Sequence, residues 1–318
     1  MQADKRFRQQ DPSFWAYVRS ISEFHGYSSK KRGKEKENNR VLEPTIEQIA
    51  TALKKLNLKS DHVLADGKPT DLGRKLVEYF SYRAQVLNNF VEPRLMKVER
   101  AKAVYEQLKT TFKPTCPLPM NKQKGEKRTV AYFTAIINML IEKHGAGCAC
   151  DFNPTRLTTV TKDGRPLRTL SRRLDGAFPC TENPLAVWEV KEYYHTTTFG
   201  SRVADGVYET LLDGMELEQL TKDENIEVLH YLMIDAHYTW WVKGKSYLCR
   251  LFDMLHMGYI DELLVGYEVV EKLPGIVAGW VKASSIPKTV KPVAATEVPA
   301  AVIVSLKDEE AIKGVTAK

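Results

Sequence analysis

The segment from Leu185 to Tyr194 constrains the fold of this chain most. It opens with an apolar run and carries charge only towards its carboxyl end. A short apolar run of this kind is typical of a buried β-strand. Apolar residues then recur about four apart over residues 201–220, which predicts a helix, and Val228–Ile234 again reads as a strand. A strand, a helix and a strand in this order predict an α/β (α+β) fold.

Further elements complete this unit, which we expect to span residues 129–282. The dipeptide Asp163-Gly164 lies between two strand-like runs and is a strong hairpin signal. The order of elements is helix, three strands, helix, strand, helix. The additional predictions are a helix at Thr129–Lys143, hairpin strands at Arg156–Thr161 and Leu167–Leu170, a continuation of the second strand at Arg172–Phe178, and a helix at Ser246–Leu264.

The first part of the chain, residues 1–113, reads as a helical, basic domain. Residues 1–28 show helical spacing of apolar residues, and Thr45 and Thr70 are placed to begin two further helices, with an Asp66-Gly67 turn before the second. Residues 114–128 contain prolines and a basic cluster, so we predict a linker. Residues 283–318 lack both periodicity and aromatic residues, and we expect a disordered tail.

Charge is distributed unevenly along the chain. Residues 1–150 hold 28 Lys and Arg against 16 Asp and Glu, whereas residues 151–318 hold 19 against 24. A basic half of this kind is typical of a protein that contacts a polyanion, although a solvated basic surface is the plainer interpretation. The charged run at 28–40 is predicted to be a mobile loop or an arm that orders on a phosphate backbone, with Lys30, Lys31, Arg32 and Lys34 as its expected DNA contacts.

The cysteines and the amino terminus bear on compartment and metal chemistry. Five cysteines and a polar amino terminus argue against a secreted disulfide framework. No apolar run approaches the roughly 20 residues that a membrane helix needs, so we expect a cytoplasmic protein that does not enter a membrane. His144, Cys148 and Cys150 raise a zinc hypothesis, but buried structural cysteines explain the same residues.

The candidate site is formed by Asp175, Glu189 and Lys191. Side chains alternate between the faces of a strand, so Glu189 and Lys191 project to the same side, and Asp175 on a neighbouring strand can reach it. Two adjacent ionised carboxylates require a cation, and oxygen ligands favour Mg²⁺ or Mn²⁺. Such an ion polarises a phosphoryl oxygen, while the lysine orients water or neutralises charge. These residue types therefore point to phosphodiester hydrolysis.

This arrangement resembles the PD-(D/E)xK nuclease superfamily, the fold of many restriction endonucleases. Asp175 matches the first acid of the motif, Glu189 the second and Lys191 the lysine, while Leu174 replaces the proline. The resemblance covers about residues 129–240 and implies an αβββαβ core that cuts double-stranded DNA with Mg²⁺, as a stand-alone restriction or phage-defence endonuclease. Membership also implies a homodimer.

The resemblance implies roles for further residues. The backbone carbonyl of Val190 is expected to be a metal ligand, and Glu142, late in the first helix of the core, is a candidate for one more acid. Residues expected to contact DNA near the motif are Arg172, Arg173, Tyr194 and Arg202.

Two other functions remain open at this point. One is a structure-specific repair or RNA-processing nuclease, which would cut flaps, nicks or RNA. The other is a DNA-binding module whose nuclease core is inactive, although the complete set of two acids and a lysine disfavours it.

Overall fold

The fold is taken from a computed structural model, which describes residues 1–8, 10–29, 38–121, 125, 128–195 and 200–284. None of the helices in these ranges is long and apolar enough to cross a membrane. In chain order the elements are α1 (Lys5–Arg8), α2 (Pro12–His25), α3 (Ile46–Lys55), β1 (Leu64–Ala65), β2 (Lys68–Pro69), α4 (Asp71–Val86), a π-helical turn (Leu87–Val91), α5 (Glu92–Arg94), α6 (Val98–Phe112), α7 (Tyr132–His144), β3 (Thr159–Lys162), β4 (Arg165–Thr169), β5 (Gly176–Phe178), β6 (Ala186–Glu192), α8 (Ser201–Glu224), β7 (Leu229–Asp235), a second π-helical turn (Tyr238–Lys243), α9 (Lys245–Met257), β8 (Glu262–Val265) and α10 (Glu268–Ala283).

The central sheet, within the described ranges, has the strand order β5-β6-β7-β8. Strand β5 runs antiparallel to β6, whereas β7 and β8 run parallel to it. Parallel neighbours need crossover connections, and α8 links β6 to β7 while α9 links β7 to β8. The sheet is therefore mixed, with helices on both faces.

The first helices begin where the sequence predicts. Thr45 precedes α3 and forms a reciprocal capping box with Gln48, and the hydroxyl of Thr70 accepts a hydrogen bond from the backbone of Gly73 at the start of α4. Asp66 and Gly67 join β1 to β2 with φ of 50° and 72°, a left-handed conformation that suits this dipeptide. The predicted starts of α3 and α4 and the Asp66-Gly67 turn are confirmed, whereas the helical segment predicted over residues 1–28 forms two helices, α1 and α2.

Two hydrophobic cores cover the two faces of the sheet. One joins side chains of α1 to α4 with those of α8, α9, β7 and β8. The other joins α6, α7 and α10 to the opposite face of β6 and β7. Residues of the basic first part thus pack directly on the sheet, and α6 shares a core with α7. The packing consequently does not follow the domain boundary predicted at residues 114–128.

Two predictions in the second half are wrong. Arg172–Phe178 does not prolong the hairpin, because β3 and β4 form a separate two-stranded sheet and β5 pairs with β6. The helix predicted at Ser246–Leu264 ends at Met257, since Gly258 adopts a φ of 88° and the chain then enters β8. The structure confirms a mixed α and β fold and adds β8 and α10 to the predicted elements.

Candidate active site on strand β6

Strand β6 sends successive side chains to opposite faces of the sheet. Trp188 lies on the face covered by α7 and α10, where its ring stacks on that of Trp280 with centroids 5.7 Å apart. Val187 lies on the other face, in a small cluster with residues of α8. Glu189 and Lys191 alternate with Trp188 and share the α8 face, and they are only 0 % and 7 % exposed. Two charged side chains are therefore buried side by side.

Asp175 is fixed to the same region by backbone hydrogen bonds. Its amide donates to the Trp188 carbonyl at 3.1 Å, and its Oδ2 accepts from the amide of Val190 at 2.8 Å. The residue is exposed on its outer side, but its carboxyl group lies against β6. Burial there and the neighbouring Glu189 carboxylate raise the pKa of Asp175 to about 6. The Asp175 carboxyl therefore lies close enough to Glu189 for the two carboxyl groups to interact.

Glu189 lies between two cations. Its Oε1 accepts from Arg172 Nη1 at 2.7 Å, and its Oε2 accepts from Lys191 Nζ at 2.8 Å. Burial opposes ionisation of Glu189, but Lys191 and Arg172 outweigh it, so its pKa lies below the ordinary value. Burial likewise opposes the charge of Lys191, and Glu189 outweighs it to raise that pKa. Glu189 is held as a carboxylate and Lys191 as an ammonium.

Helix α8 adds two acids, Glu209 and Asp213. Lys191 Nζ donates to Glu209 Oε2 at 2.6 Å, and Arg172 Nη1 donates to Asp213 Oδ2 at 2.7 Å. Asp213 is fully buried, and its Oδ1 has no hydrogen-bond partner among the described residues. Burial, opposed by Arg172, raises the pKa of Asp213 to about 7. The site therefore extends from β6 to the helix that follows it.

Gly206 lets α8 approach this cluster. A Cβ atom at this position would lie 3.0 Å from the Tyr193 hydroxyl and 3.4 Å from Lys191 Cδ. Tyr193 in turn donates from its hydroxyl to the Arg202 carbonyl at 3.0 Å. The glycine thus brings the first turns of α8 close enough for Glu209 to reach Lys191.

The cluster formed by Asp175, Glu189, Glu209, Asp213, Arg172 and Lys191, called the acidic cluster below, holds four acids against two bases. An excess of carboxylates suits a hard divalent cation, which prefers oxygen ligands. The carbonyl of Val190 faces the Asp175 side, because a strand residue directs its N–H and C=O to the same neighbour. The carboxylates of Asp175 and Glu189 and the carbonyl of Val190 are therefore oxygen donors of the type that Mg²⁺ or Mn²⁺ prefers.

No group of three or more His, Cys, Asp or Glu side chains is arranged as a ready set of metal ligands in the described ranges. At the acidic cluster, this absence of a ready ligand set agrees with the ion pairs of Glu189, whose two carboxylate oxygens already accept from Arg172 and Lys191. The zinc hypothesis for His144, Cys148 and Cys150 gains no support. The His144 ring lies edge-on to Phe112, and the Cys150 thiol donates to the Ala177 carbonyl.

Glu142 does not join the acidic cluster. It lies on α7, which packs on the opposite face of β6, and its carboxylate accepts from the amide and hydroxyl of Thr115. The proposal of Glu142 as a metal ligand is therefore wrong, because the sheet separates it from Glu189.

The residues predicted to contact DNA have different surroundings. Arg172 is engaged by the acids described above, and the hydroxyl of Tyr194 donates to the buried Asp235. Arg173 and Arg202 are both exposed. Arg173 follows Arg172 in the sequence, and Arg202 lies at the start of α8. The predicted contacts at Lys30, Lys31, Arg32 and Lys34 lie outside the described residues.

Glu209 and Asp213 were missed by sequence reasoning, although a signal for them exists. Gly206, Glu209 and Asp213 follow one another at spacings of three and four, which places them on one face of a helix. Parallel β6 and β7 require that helix to cross the sheet beside Glu189 and Lys191. Glu209 and Asp213 therefore form a polar stripe on the face of the helix that packs on the sheet, where apolar residues are expected. This stripe is the sequence signal for the two acids.

Comparisons with known proteins leave the activity open. No curated protein and no solved structure matches the chain. Residues 1–90 match a domain of unknown function (DUF7690), and residues 96–280 match another (DUF7687). The second matched region begins just before α6, the first helix of the second core. Since the second match covers more than half of the 318 residues, the chain belongs to the family described as a domain of unknown function, DUF7687.

Proposed function

We propose that this protein is a Mg²⁺- or Mn²⁺-dependent endonuclease that hydrolyses phosphodiester bonds of double-stranded DNA, with the PD-(D/E)xK arrangement and a restriction or phage-defence role. The single observation that carries the proposal is the convergence of Asp175, Glu189 and Lys191 on one face of the sheet. Buried charges are costly unless they are paired, and this cluster retains an excess of acid. Such a cost is typical of a functional site.

Each residue of the motif has a separate task. Asp175, Glu189 and the Val190 carbonyl would hold the cation, which supplies Lewis acidity at the phosphoryl oxygen and lowers the pKa of an attacking water. Lys191 is kept protonated, so it stabilises negative charge on the phosphoryl group. Its bonds to Glu189 and Glu209 fix the ammonium between β6 and α8. Burial beside Val187 limits the access of bulk water and strengthens these charges.

The surroundings supply the means of binding DNA. Arg173 and Arg202 are exposed near the cluster, and the first 150 residues carry an excess of basic side chains. Positive charge on this scale favours the phosphate backbone. In the proposed enzyme, a homodimer in the cytoplasm would place one such site on each DNA strand.

The test uses the full chain with supercoiled plasmid and with modified and unmodified phage DNA. Cleavage is expected with Mg²⁺ or Mn²⁺ and none with EDTA. Glu189→Ala and Lys191→Ala are expected to abolish it. Glu218→Ala is the matched control, because Glu218 lies on the same helix but pairs, among the described residues, with the exposed Lys222 alone.

The pattern of products separates the candidate activities. Discrete bands from plasmid support a restriction enzyme, whereas cleavage confined to flaps, nicks or RNA would replace the DNA-restriction role with a structure-specific one. Cleavage that survives Glu189→Ala, or DNA binding without any cleavage, would overturn the assignment of the site.

A further inference from the structure

Arg172 shares one nitrogen between two acids of different elements. Its Nη1 lies 2.7 Å from Glu189 Oε1 and 2.7 Å from Asp213 Oδ2, and its Nη2 lies 3.5 Å from Glu209. The side chain is still 23 % exposed, so it is not sealed off from solvent. Arg172 therefore neutralises the acid that the proposed function assigns to the metal.

A cation at Glu189 and the guanidinium of Arg172 compete for the same carboxylate. Two positive charges on one carboxylate oxygen repel, so one of them must move or bind weakly. Arg172 has a second anchor, because Asp213 is fully buried and keeps one oxygen, Oδ1, without a partner among the described residues. A planar guanidinium can form two parallel hydrogen bonds to a carboxylate, and both oxygens of Asp213 are available for this.

We propose that Arg172 is a built-in counter-ion, which a divalent cation displaces from Glu189 onto Asp213. In that position its outward N–H groups bind a phosphate of the substrate. This inference rests on the proposed nuclease function and adds a device to it: the metal-free site is neutralised internally, and metal binding releases the arginine for the substrate. Arg172 is then a catalytic residue and Asp213 its positioning residue.

The first test measures Mn²⁺ affinity of the full chain by titration calorimetry, without DNA. Arg172→Gln removes the competitor, so Mn²⁺ is expected to bind about tenfold more tightly, the effect of one neighbouring charge. Asp213→Asn removes the second anchor, so Arg172 stays on Glu189 and Mn²⁺ is expected to bind about tenfold more weakly. Glu209→Gln removes an equal charge from the same helix and is expected to have a smaller effect.

The second test measures cleavage at saturating Mn²⁺. Arg172→Gln is expected to lower kcat about 100-fold while its metal affinity rises. A merely structural role for Arg172 would lower both quantities. Arg172→Lys keeps the charge but loses the planar fork, so it is expected to keep the metal affinity of the wild type and to cleave more slowly.

The outcomes separate this inference from the proposed function. A wild-type chain that neither binds Mn²⁺ nor cleaves DNA rejects both. A wild-type chain that does both, with Arg172→Gln binding Mn²⁺ no more tightly, rejects the displacement alone. Thermal melting establishes that each variant is folded, and if Arg172→Gln is unfolded, the decision passes to Asp213→Asn, whose Mn²⁺ affinity must fall below that of Glu209→Gln.

Discussion

Two ion-pair groups in this molecule, one fully buried and one partly buried, differ in their balance of charge. Arg83 and Asp253, at 2 % and 3 % exposure, pair where α4 meets α9, and the acid also accepts from the Tyr79 hydroxyl at 2.6 Å. That group has one acid and one base, and the second guanidinium nitrogen donates to Ser22 at 3.1 Å. The acidic cluster instead has four acids for two bases. A buried charge without a partner of opposite sign lowers the stability of the fold. The excess of acids over bases in the acidic cluster therefore indicates a role beyond stability.

The largest effect on stability is expected for a substitution that removes the acid paired with Arg83. Asp253→Ala leaves Arg83 buried without an acid and Tyr79 without its acceptor, so we expect the free energy of unfolding to fall by about 3–5 kcal/mol. Urea denaturation measures the loss. Asp253→Asn, which keeps the shape and an acceptor oxygen, should lose less. A loss below about 1 kcal/mol for Asp253→Ala would mean that the pair is not structural.

The acidic cluster should behave in the opposite way. Glu189→Gln leaves Lys191 paired with Glu209 and Arg172 paired with Asp213, so we expect the melting temperature to stay the same or rise. Cleavage should fall about 10²–10³-fold, as for the loss of one charge-stabilising group. Parallel melting and plasmid-cleavage assays measure both. A variant that melts well below the wild type would place Glu189 with the structural pair.

The sequence predicts local structure well in this chain and long-range contacts poorly. Thr45, Thr70 and the Asp163-Gly164 turn act through their immediate neighbours, so their effect is visible in the sequence. The pairing of β5 with β6 and the position of Glu142 on the opposite face depend on how distant segments pack. The first three of the four residues of β8 were included in a predicted helix, because a short apolar run fits both structures.

The candidate site likewise contains residues whose positions follow from local sequence patterns and residues whose positions depend on tertiary packing. Glu189 and Lys191 lie two residues apart on one strand, so their shared face follows from β-strand geometry alone. The place of Asp213 depends on the path of α8 across the sheet, which no local pattern gives. Arg172 was expected to contact DNA, whereas its position between Glu189 and Asp213 is a tertiary feature.

A third buried acid, Asp235, differs from the acids of both groups because its hydrogen bonds come from neutral donors. It accepts from the Met96 amide at 2.7 Å and from the Tyr194 hydroxyl, and burial raises its pKa from 3.8 to about 7. Between these values the folded protein keeps a proton that the unfolded chain has released. The contribution of Asp235 to the free energy of unfolding therefore falls as pH rises from about 4 to about 7, and it is constant above that pH.

The expected size of this effect is about 2 kcal/mol between pH 5 and 7, for one proton. Urea denaturation at several pH values, compared between the wild type and Asp235→Asn, isolates it from the other acids. The difference in stability between the two proteins should shift in favour of the variant as pH rises. A difference that does not change with pH would show that Asp235 is ionised throughout.

The smallest expected effect separates stability from activity at the acidic cluster itself. Alanine favours a helix over glycine by about 1 kcal/mol, but a Cβ at Gly206 would press on Tyr193 and Lys191. Gly206→Ala should therefore leave stability within about 1 kcal/mol of the wild type while slowing cleavage several-fold, because Lys191 is displaced from Glu189. Gly279→Ala in α10 is the matched control, since no described atom outside the local helix backbone lies within 4 Å of its Cβ position. It should gain the full helical preference and leave cleavage unchanged. Equal cleavage by both variants would show that the close approach of α8 to Lys191 is not needed for catalysis, even if the four acids are.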